Sequence, residues 1–491
     1  MSSALILFCV LGYSAILFFV VWLTSRKADN ESYFIGNKSS RWYVVAYGMI
    51  GSSLSGVTFM SVPGAVFTTQ FSYMQVVIGY LIGYAIISNI LMPVYYRLNL
   101  TSIYTYLEQR FGNVSYKTGS LFFILSRVIG ASFRMYIVVN VLQTFVLEKM
   151  GVPFSVTVLV FIILILLYTY EGGVKTIVWT DTLQTTFMLL ALLFGVMAIS
   201  SQLDLSIGTM FSKVFHSTYS DFFVNDIKSP NYFWKNFLGG AAIAVAMTGL
   251  DQEMMQKNLS CKNIGEAKKN MFFFSAILVV VNLLFLVLGA VLCFYAAQKG
   301  ITIDPKHTDD LFPNVALNYL GTFAGLIFII GLISAAYPSA DGALTALTTA
   351  FCFDFLGIQK NEKLNDGQRK RIRYTVHISF AILLLLTIIL FRVINNDAVI
   401  RNLFRVASYT YGPLLGLYMF GFFTKRGVKD NLVWAVCVLS PIVCYFLNDA
   451  IPLWTNGYKF GFELLIVNGL LTFLGLAAIS KKTDSSKWTL F

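Results

Sequence analysis

An oxygen-rich stretch lies in the middle of the long apolar run 322–354. Within it, Pro338 has no amide hydrogen, so the carbonyl of Ser334, about one helical turn earlier, is left without its helical partner. This free carbonyl, the Ser339 hydroxyl and the Asp341 carboxylate together suit a hard monovalent cation, which prefers oxygen ligands. The alternative is a pair between Asp341 and an arginine that only ties two helices together. The stretch reads Ser334-Ala335-Ala336-Tyr337-Pro338-Ser339-Ala340-Asp341-Gly342.

Few other charged residues lie inside the apolar runs. Each costs about 2.5–3.5 kcal/mol at the centre of a membrane helix on insertion scales, so each needs a partner or a wet cavity. We expect Asp251 and Glu253, which shortly precede Lys257, to lie at the cytoplasmic interface. The charged residues within the runs are Arg127, Arg134, Asp181, Asp251, Glu253, Asp341 and Arg405.

Two clusters of small and polar residues interrupt these runs. One is Gly51-Ser52-Ser53-Leu54-Ser55-Gly56, and the other combines Gly239-Gly240 with Thr248-Gly249-Leu250-Asp251-Gln252. Such residues form helix poorly, and non-helical backbone at membrane depth must be buried in protein or line a cavity. The clusters lie five spans apart, in the second and seventh spans, which predicts two five-helix units of opposite orientation with a site between two broken helices. The alternative is that the small residues only allow close helix packing.

The composition requires a membrane protein. Of 491 residues, 57% are hydrophobic and 12% are charged, whereas soluble domains carry about 25% charged residues. We predict thirteen transmembrane helices in one domain, 1–491, because each run approaches or exceeds the roughly 20 residues that cross a bilayer. The spans are 4–24, 44–67, 72–96, 119–147, 154–170, 176–201, 236–256, 271–297, 322–354, 374–396, 402–423, 431–451 and 461–479.

The positive charges are distributed unevenly between the loops. One alternate set of loops holds 24 Lys and Arg residues and the other holds nine. The positive-inside rule therefore predicts a multi-pass protein of the plasma (inner) membrane with its N-terminus outside and its C-terminus in the cytoplasm. The net charge of +12 is then a topology signal, and we expect membrane lipid but no nucleic acid as a partner.

Enzyme signatures are absent from the sequence. We find no HExxH, GxSxG, Walker or GxGxxG pattern, and no nucleophile–base or metal set lies within the spans. The sequence therefore predicts that the protein is not an enzyme.

Three motifs resemble the sodium/solute symporter family, which includes sodium-coupled transporters of sugars, sialic acid, proline and pantothenate. Their order and their positions in the spans match the family over nearly the whole chain. The motifs are Tyr170-Glu171-Gly172-Gly173-Val174-Lys175-Thr176-Ile177-Val178-Trp179-Thr180-Asp181-Thr182-Leu183-Gln184, Thr248-Gly249-Leu250-Asp251-Gln252-Glu253-Met254-Met255-Gln256-Lys257-Asn258-Leu259-Ser260-Cys261-Lys262, and Tyr411-Gly412-Pro413-Leu414-Leu415-Gly416 with Phe423-Thr424-Lys425-Arg426.

The resemblance implies an all-α LeuT-type fold with two inverted repeats of five helices each. The first repeat would be 44–201 and the second 236–423, with one extra helix (4–24) before them and two (431–479) after them. In this family the main sodium site lies between the broken first core helix and the eighth core helix.

Sodium ligands can be carried over by position in the same way. The main site would use the carbonyls of Gly51, Leu54 and Ala335 and the hydroxyl of Ser339, with Pro338 where relatives commonly have a second hydroxyl. Some members bind a second sodium ion through an aspartate that matches Asp181, and one of the hydroxyl positions of that site is Asp341 here. This carboxylate could strengthen a cation site, complete the main site or carry a proton.

The substrate is expected beside the break in the first core helix, where amides and hydroxyls are free. The hydroxyl, amide and aromatic groups there suit a polyol, and the positive charge of Arg134 favours an anionic sugar such as sialic acid. Arg127, seven residues earlier and on nearly the same helix face, is the alternative holder of that charge. The expected substrate residues are Ser53, Ser55, Thr58, Tyr73, Gln75, Tyr80, Arg134 and Arg127.

These expectations combine into a function, a sodium-coupled secondary symporter that imports a small organic solute by alternating access. Its partners would be Na⁺ and a carbohydrate-like solute such as sialic acid. The other class is a non-transporting sensor or channel-like protein on the same scaffold, which would bind sodium and ligand without concentrating the ligand.

Overall fold

The computed structural model describes residues 3–25, 40–394 and 399–482, so both ends of the predicted 1–491 domain lie outside the described residues. The described chain is helical apart from loops and one pair of two-residue strands, Gly427–Val428 and Ser480–Lys481, which run antiparallel. The α-helices are Ser3–Ser25, Trp42–Ser53, Gly56–Thr69, Tyr73–Ile86, Met92–Arg97, Thr105–Arg110, Asn113–Leu142, Phe154–Gln202, Ile207–Phe215, Phe233–Ala244, Gln252–Leu259, Ile264–Lys299, Leu311–Asn318, Thr322–Ala350, Asp366–Ile394, Val399–Phe423, Val433–Trp454 and Leu464–Ala478.

Short turns of other helical types join or extend these helices. The π-helical turns are Ile87–Leu91, Gln143–Leu147, Val245–Gly249 and Phe351–Phe355. The 3₁₀ turns are Gln70–Ser72, Glu148–Met150, Thr218–Ser220, Thr308–Asp310 and Asp430–Leu432.

The outer surface of the helix bundle is apolar. Within the described ranges, eight helical segments are long and apolar enough to cross a membrane, and two shorter apolar helices accompany them. Large hydrophobic side chains such as Leu453, Phe272 and Val393 are 82%, 77% and 76% exposed. Water would not tolerate so many exposed apolar side chains, so the chain is a multi-pass membrane protein.

The first broken helix consists of Trp42–Ser53 and Gly56–Thr69. Leu54 and Ser55, between the two halves, have extended backbone angles (φ −84°, ψ 103° and φ −103°, ψ −179°). The sequence prediction of a break at the glycine–serine cluster is therefore confirmed. The break lies inside the protein, since Leu54 and Ser55 are both buried.

The second broken helix consists of Phe233–Ala244 and Gln252–Leu259. A π-helical turn, Val245–Gly249, ends the first half, and Asp251 has extended angles (φ −104°, ψ 122°). The Asp251 carboxylate accepts hydrogen bonds from the amides of Glu253 (3.0 Å) and Met254 (3.2 Å), which caps the second half. This break also confirms its prediction from the sequence.

The segment Phe154–Gln202, here named the long helix, covers the spans predicted at 154–170 and 176–201 and the short loop predicted between them. This segment is not one straight helix. Phe161 contacts the Tyr337 ring, and Phe187 contacts Tyr13, which itself contacts Tyr337. A straight helix would hold Phe161 and Phe187 about 39 Å apart, so the chain folds back between them.

Two further helices complete the surroundings of the breaks. The helix Asn113–Leu142, here named the arginine helix, carries Arg127 and Arg134. The helix Thr322–Ala350, here named the Pro338 helix, is buried without interruption from residue 331 to residue 350. Both are centrally placed, so their polar side chains must find partners inside the protein.

Glycines let the long helix approach the first broken helix closely. A Cβ atom on Gly51 would collide with the Thr185 hydroxyl, and one on Gly48 would lie 3.1 Å from the Val178 carbonyl and 3.4 Å from the Asp181 Cβ. The small residues on this face therefore serve helix packing as well as the break. This packing brings Asp181 next to the break.

Candidate functional site

A cavity lies between the two breaks and the arginine helix. It contains seven of the eight residues predicted to bind substrate: Ser53, Ser55, Thr58, Tyr73, Tyr80, Arg127 and Arg134. The Tyr73 and Tyr80 hydroxyls are 3.1 Å apart. Hydroxyl groups, aromatic faces and guanidinium groups thus share one cavity. The remaining lining residues are Ser52, Leu54, Val57, Tyr84, Ile243, Ala244, Met247, Thr248, Met254, Leu278, Asn282, Leu403 and Phe404.

Gln75 is the predicted substrate residue that the structure places elsewhere. Its side-chain amide donates a hydrogen bond to the carbonyl of Phe222, in the connection after Ile207–Phe215. Gln75 is completely buried and is not one of the residues that line the cavity. In the structure it ties a connecting segment to the helix Tyr73–Ile86.

Arg134 lies at the cavity without a carboxylate. Its Nη1 donates to the backbone carbonyl of Ser52 at 3.4 Å, and its buried Nε has no hydrogen-bond partner. No ion pair of Arg134 occurs within the part of the chain that the structure describes. Its positive charge is therefore available to a ligand in the cavity.

Arg127 is already neutralised by acidic residues. Its guanidinium pairs with the Glu253 carboxylate and lies 3.5 Å from Asp251 Oδ2. The Tyr411 hydroxyl donates a second bond, of 2.8 Å, to Asp251 Oδ2. Of the two candidate arginines, Arg127 thus has a structural role that Arg134 lacks.

Asp251 and Glu253, which we expected at the cytoplasmic interface, are buried inside the protein. Asp251 is 0% exposed and Glu253 is 2% exposed. The break allows this burial, because the chain changes direction at Leu250–Asp251 and the following half-helix packs inside the bundle. Burial of these carboxylates is tolerable because Arg127 accompanies them.

Lys257 was missed as a site residue by sequence reasoning. Its ammonium lies 2.7 Å from Asp181 Oδ2, 3.1 Å from Glu253 Oε1 and 2.5 Å from the Ser52 hydroxyl, and the residue is only 3% exposed. The available signal was the spacing of four between Glu253 and Lys257, which places both on one helix face. Because its neighbours in sequence are polar, Lys257 was expected at the cytoplasmic interface.

Asp341 makes no arginine pair among the described residues. Its Oδ2 accepts a 2.8 Å hydrogen bond from the Tyr168 hydroxyl of the long helix, and its Oδ1 accepts one from the Gly342 amide. Gly342 in turn faces the second broken helix, because a Cβ atom there would collide with the Glu253 carboxylate. Asp341 therefore lies one residue from the contact between the Pro338 helix and the acidic group at the break.

The residues predicted for the main sodium site lie on the first broken helix and the Pro338 helix. Gly51 lies in the last turn before the first break and Leu54 lies in the break. Ala335, Pro338 and Ser339 are buried in the middle of the Pro338 helix. The Ser339 hydroxyl is fully buried and has no hydrogen-bond partner. A buried hydroxyl without a partner is costly, so it is a candidate ligand for an ion.

Broken helices around a buried, charged cavity define a membrane transporter, and comparisons with known proteins agree. The sequence pattern of the sodium:solute symporter family matches residues 33–438. The sodium/sialic acid symporter SiaT of Proteus mirabilis is 25% identical over 444 residues, 87% of this chain and 86% of that protein. The sodium/sialic acid symporter NanT of Aliivibrio fischeri is 24% identical over 485 residues, 95% of this chain and 92% of that protein.

A solved structure of a Na⁺-coupled sialic acid symporter, in a substrate-bound outward-open state, has the same fold. Its TM-score is 0.82 at 19% identity, over 97% of this chain and 99% of that chain. The present chain belongs to the sodium:solute symporter family. It is thus a sodium-coupled transporter with the LeuT-type fold and not an enzyme, which confirms the resemblance seen in the three motifs.

The shared Glu253 carboxylate generates a stability prediction. Glu253→Gln keeps the shape of the side chain but removes the charge that faces both Arg127 and Lys257. Removal of one partner from a buried ion pair typically costs about 3–5 kcal/mol. We expect a clearly lower apparent melting temperature of the purified protein in detergent. Glu148→Gln, at an exposed position, is the control, and equal melting temperatures for the two variants would contradict the prediction.

Proposed function

We propose that this protein imports an anionic sugar, such as sialic acid, together with sodium by alternating access. The observation that carries the proposal is Arg134, which lines the cavity with a buried Nε that has no partner. A carboxylate is the natural partner for such a guanidinium. The substrate in the printed names of the two relatives, sialic acid, is a sugar acid and fits this chemistry.

The polar side chains of the cavity suit the rest of such a substrate. Ser53, Ser55 and Thr58 lie at the first break, and Tyr73 and Tyr80 face them from the next helix. Hydroxyl groups recognise a polyol through hydrogen bonds, and tyrosine rings pack against its apolar faces. Gln75, which contacts Phe222, would act on the substrate only indirectly.

The proposed architecture is thirteen transmembrane helices in a single domain. Two inverted five-helix repeats, 44–201 and 236–423, would follow the helix 4–24 and precede the two helices within 431–479. The breaks at Leu54–Ser55 and Leu250–Asp251 occupy corresponding positions in these repeats, which supports the inverted arrangement. We further propose the plasma (inner) membrane, an outer N-terminus and a cytoplasmic C-terminus, on the basis of the loop charges.

The proposed main sodium site combines carbonyls of the first break with the Pro338 helix. Gly51, Leu54 and Ala335 would supply carbonyl oxygens, and Ser339 would supply its unpartnered hydroxyl. Pro338 has no hydroxyl, and we propose that the Asp341 carboxylate supplies an oxygen ligand in place of the missing hydroxyl. Asp341 follows Pro338 by three residues and so lies on the adjacent helix surface.

The function is tested by uptake into proteoliposomes with radiolabelled sialic acid. An inward sodium gradient should drive accumulation above the external concentration, and potassium in place of sodium on both sides should abolish it. Uptake driven by a proton gradient in sodium-free buffer is measured for comparison. Sodium-dependent binding without accumulation would favour the sensor or channel-like class, and accumulation driven equally well by protons would overturn sodium coupling.

Two substitutions test the sodium site. Ser339→Ala and Asp341→Asn each remove one proposed oxygen ligand, so they should raise the sodium concentration for half-maximal uptake at least several-fold. Substrate affinity at saturating sodium should change much less. Ser275→Ala is a matched control, because the Ser275 hydroxyl bonds to the Phe272 carbonyl of its own helix. Unchanged sodium dependence in both site variants would refute the assignment.

Substitution of Arg134 tests the recognition of substrate charge. Arg134→Gln should weaken binding of sialic acid by about 1.5–3 kcal/mol, the typical contribution of a hydrogen bond to a charged group. Sodium binding in the absence of substrate should stay close to that of the unmodified protein. Equilibrium binding of the labelled sugar measures the effect, and Arg371→Gln, at an exposed position, is the control. Normal binding by Arg134→Gln would exclude Arg134 as the charge-recognising residue.

A further inference from the structure

The Lys257 ammonium has a complete set of hydrogen-bond partners inside the membrane domain. An ammonium carries three N–H donors, and three acceptors surround this one: Asp181 Oδ2 at 2.7 Å, Glu253 Oε1 at 3.1 Å and Ser52 Oγ at 2.5 Å. With 3% of the residue exposed, water does not compete for these donors. All three donors of the ammonium are thus hydrogen-bonded inside the protein.

The three acceptors come from three different parts of the fold. Ser52 belongs to the first broken helix, Asp181 to the long helix, and Glu253 to the second broken helix that also carries Lys257. The Ser52 hydroxyl also lies 3.0 Å from Asp181 Oδ2. An oxygen-lined position at which a carboxylate and a hydroxyl converge is the kind of place that a small cation occupies.

We infer that the Lys257 ammonium takes the place of a second sodium ion at Asp181, so that each transport cycle couples a single sodium ion. The inference rests on the proposed function, because it concerns the ions that drive the same transporter. Asp181 would then act as the counter-ion of a built-in cation and not as a ligand of a transported one.

Electrostatics supports this assignment. Asp181 pairs with Lys257 and with no other cationic side chain among the residues that the structure describes. A sodium ion at the same carboxylate oxygen would lie against a fixed positive charge of the same sign, in a medium that screens charges weakly. Asp181 Oδ1 is buried and has no hydrogen-bond partner, so removal of the ammonium would leave this carboxylate, with the Ser52 hydroxyl beside it, for an ion from solution.

Equilibrium binding of sodium-22 to the purified full chain, without substrate, measures the number of ions directly. The unmodified protein should bind one sodium ion per chain, with a Hill coefficient near one. Lys257→Gln should bind two ions per chain, and the sodium dependence of its uptake should steepen toward a Hill coefficient of two. Lys257→Arg retains the charge and should bind one. Lys257→Gln combined with Asp181→Asn should return to one.

The outcomes separate this inference from the proposed function. Two ions bound by the unmodified protein would overturn the inference alone, as would one ion bound by folded Lys257→Gln. No saturable sodium binding at all would overturn sodium-coupled transport itself. If Lys257→Gln does not fold, sodium binding by Asp181→Asn in the otherwise unmodified chain tests the inference. It should still bind one ion, and loss of that ion would show that Asp181 holds transported sodium.

Discussion

The burial of ionised groups at two helix breaks is the constraint on which the rest of this structure depends. A charge inside the membrane domain needs a partner or a wet cavity, and Glu253 is the partner of both Arg127 and Lys257. Through these pairs the arginine helix and the second broken helix are held together, and Lys257 extends the connection to Asp181 of the long helix. The cavity exists because these elements converge without filling the space between them.

The breaks are what make such a network possible. A continuous helix would use its amides and carbonyls internally, whereas the ends at Leu54–Ser55 and Leu250–Asp251 leave polar backbone in the interior. Some of these backbone amides find a partner nearby, since the Asp251 carboxylate caps the half-helix that follows it. The remainder faces the cavity and the Pro338 helix, where Ser339 presents a hydroxyl without a partner. Binding capacity for ion and solute is thus a consequence of interrupted secondary structure.

Much of this architecture could be predicted from the sequence, because its causes are local. Apolar length predicts a multi-pass helical membrane protein, and clustered glycines and serines predict both breaks, at the residues where the structure has them. Seven of the eight predicted substrate residues line the cavity, and Gln75 does not. The pairing of Lys257 with Asp181 could not be predicted, because residues 76 positions apart meet only through the packing of two helices.

The same network bears on how transport is coupled. Any movement that separates Lys257 from Asp181, or Glu253 from Arg127, must expose a buried charge to solvent or leave it without its partner. Either outcome typically costs several kcal/mol. A ligand can shift such an equilibrium only by the difference in its affinity for the two states. Under the proposed site assignment, an anion at Arg134 and a cation near Ser339 would both bring charge to elements that carry the network, and they would stabilise an arrangement that the empty protein disfavours. The resistance of the charged cluster to opening would therefore limit movement without ligands, and this is the property that a coupled transporter needs to avoid leaking its driving ion.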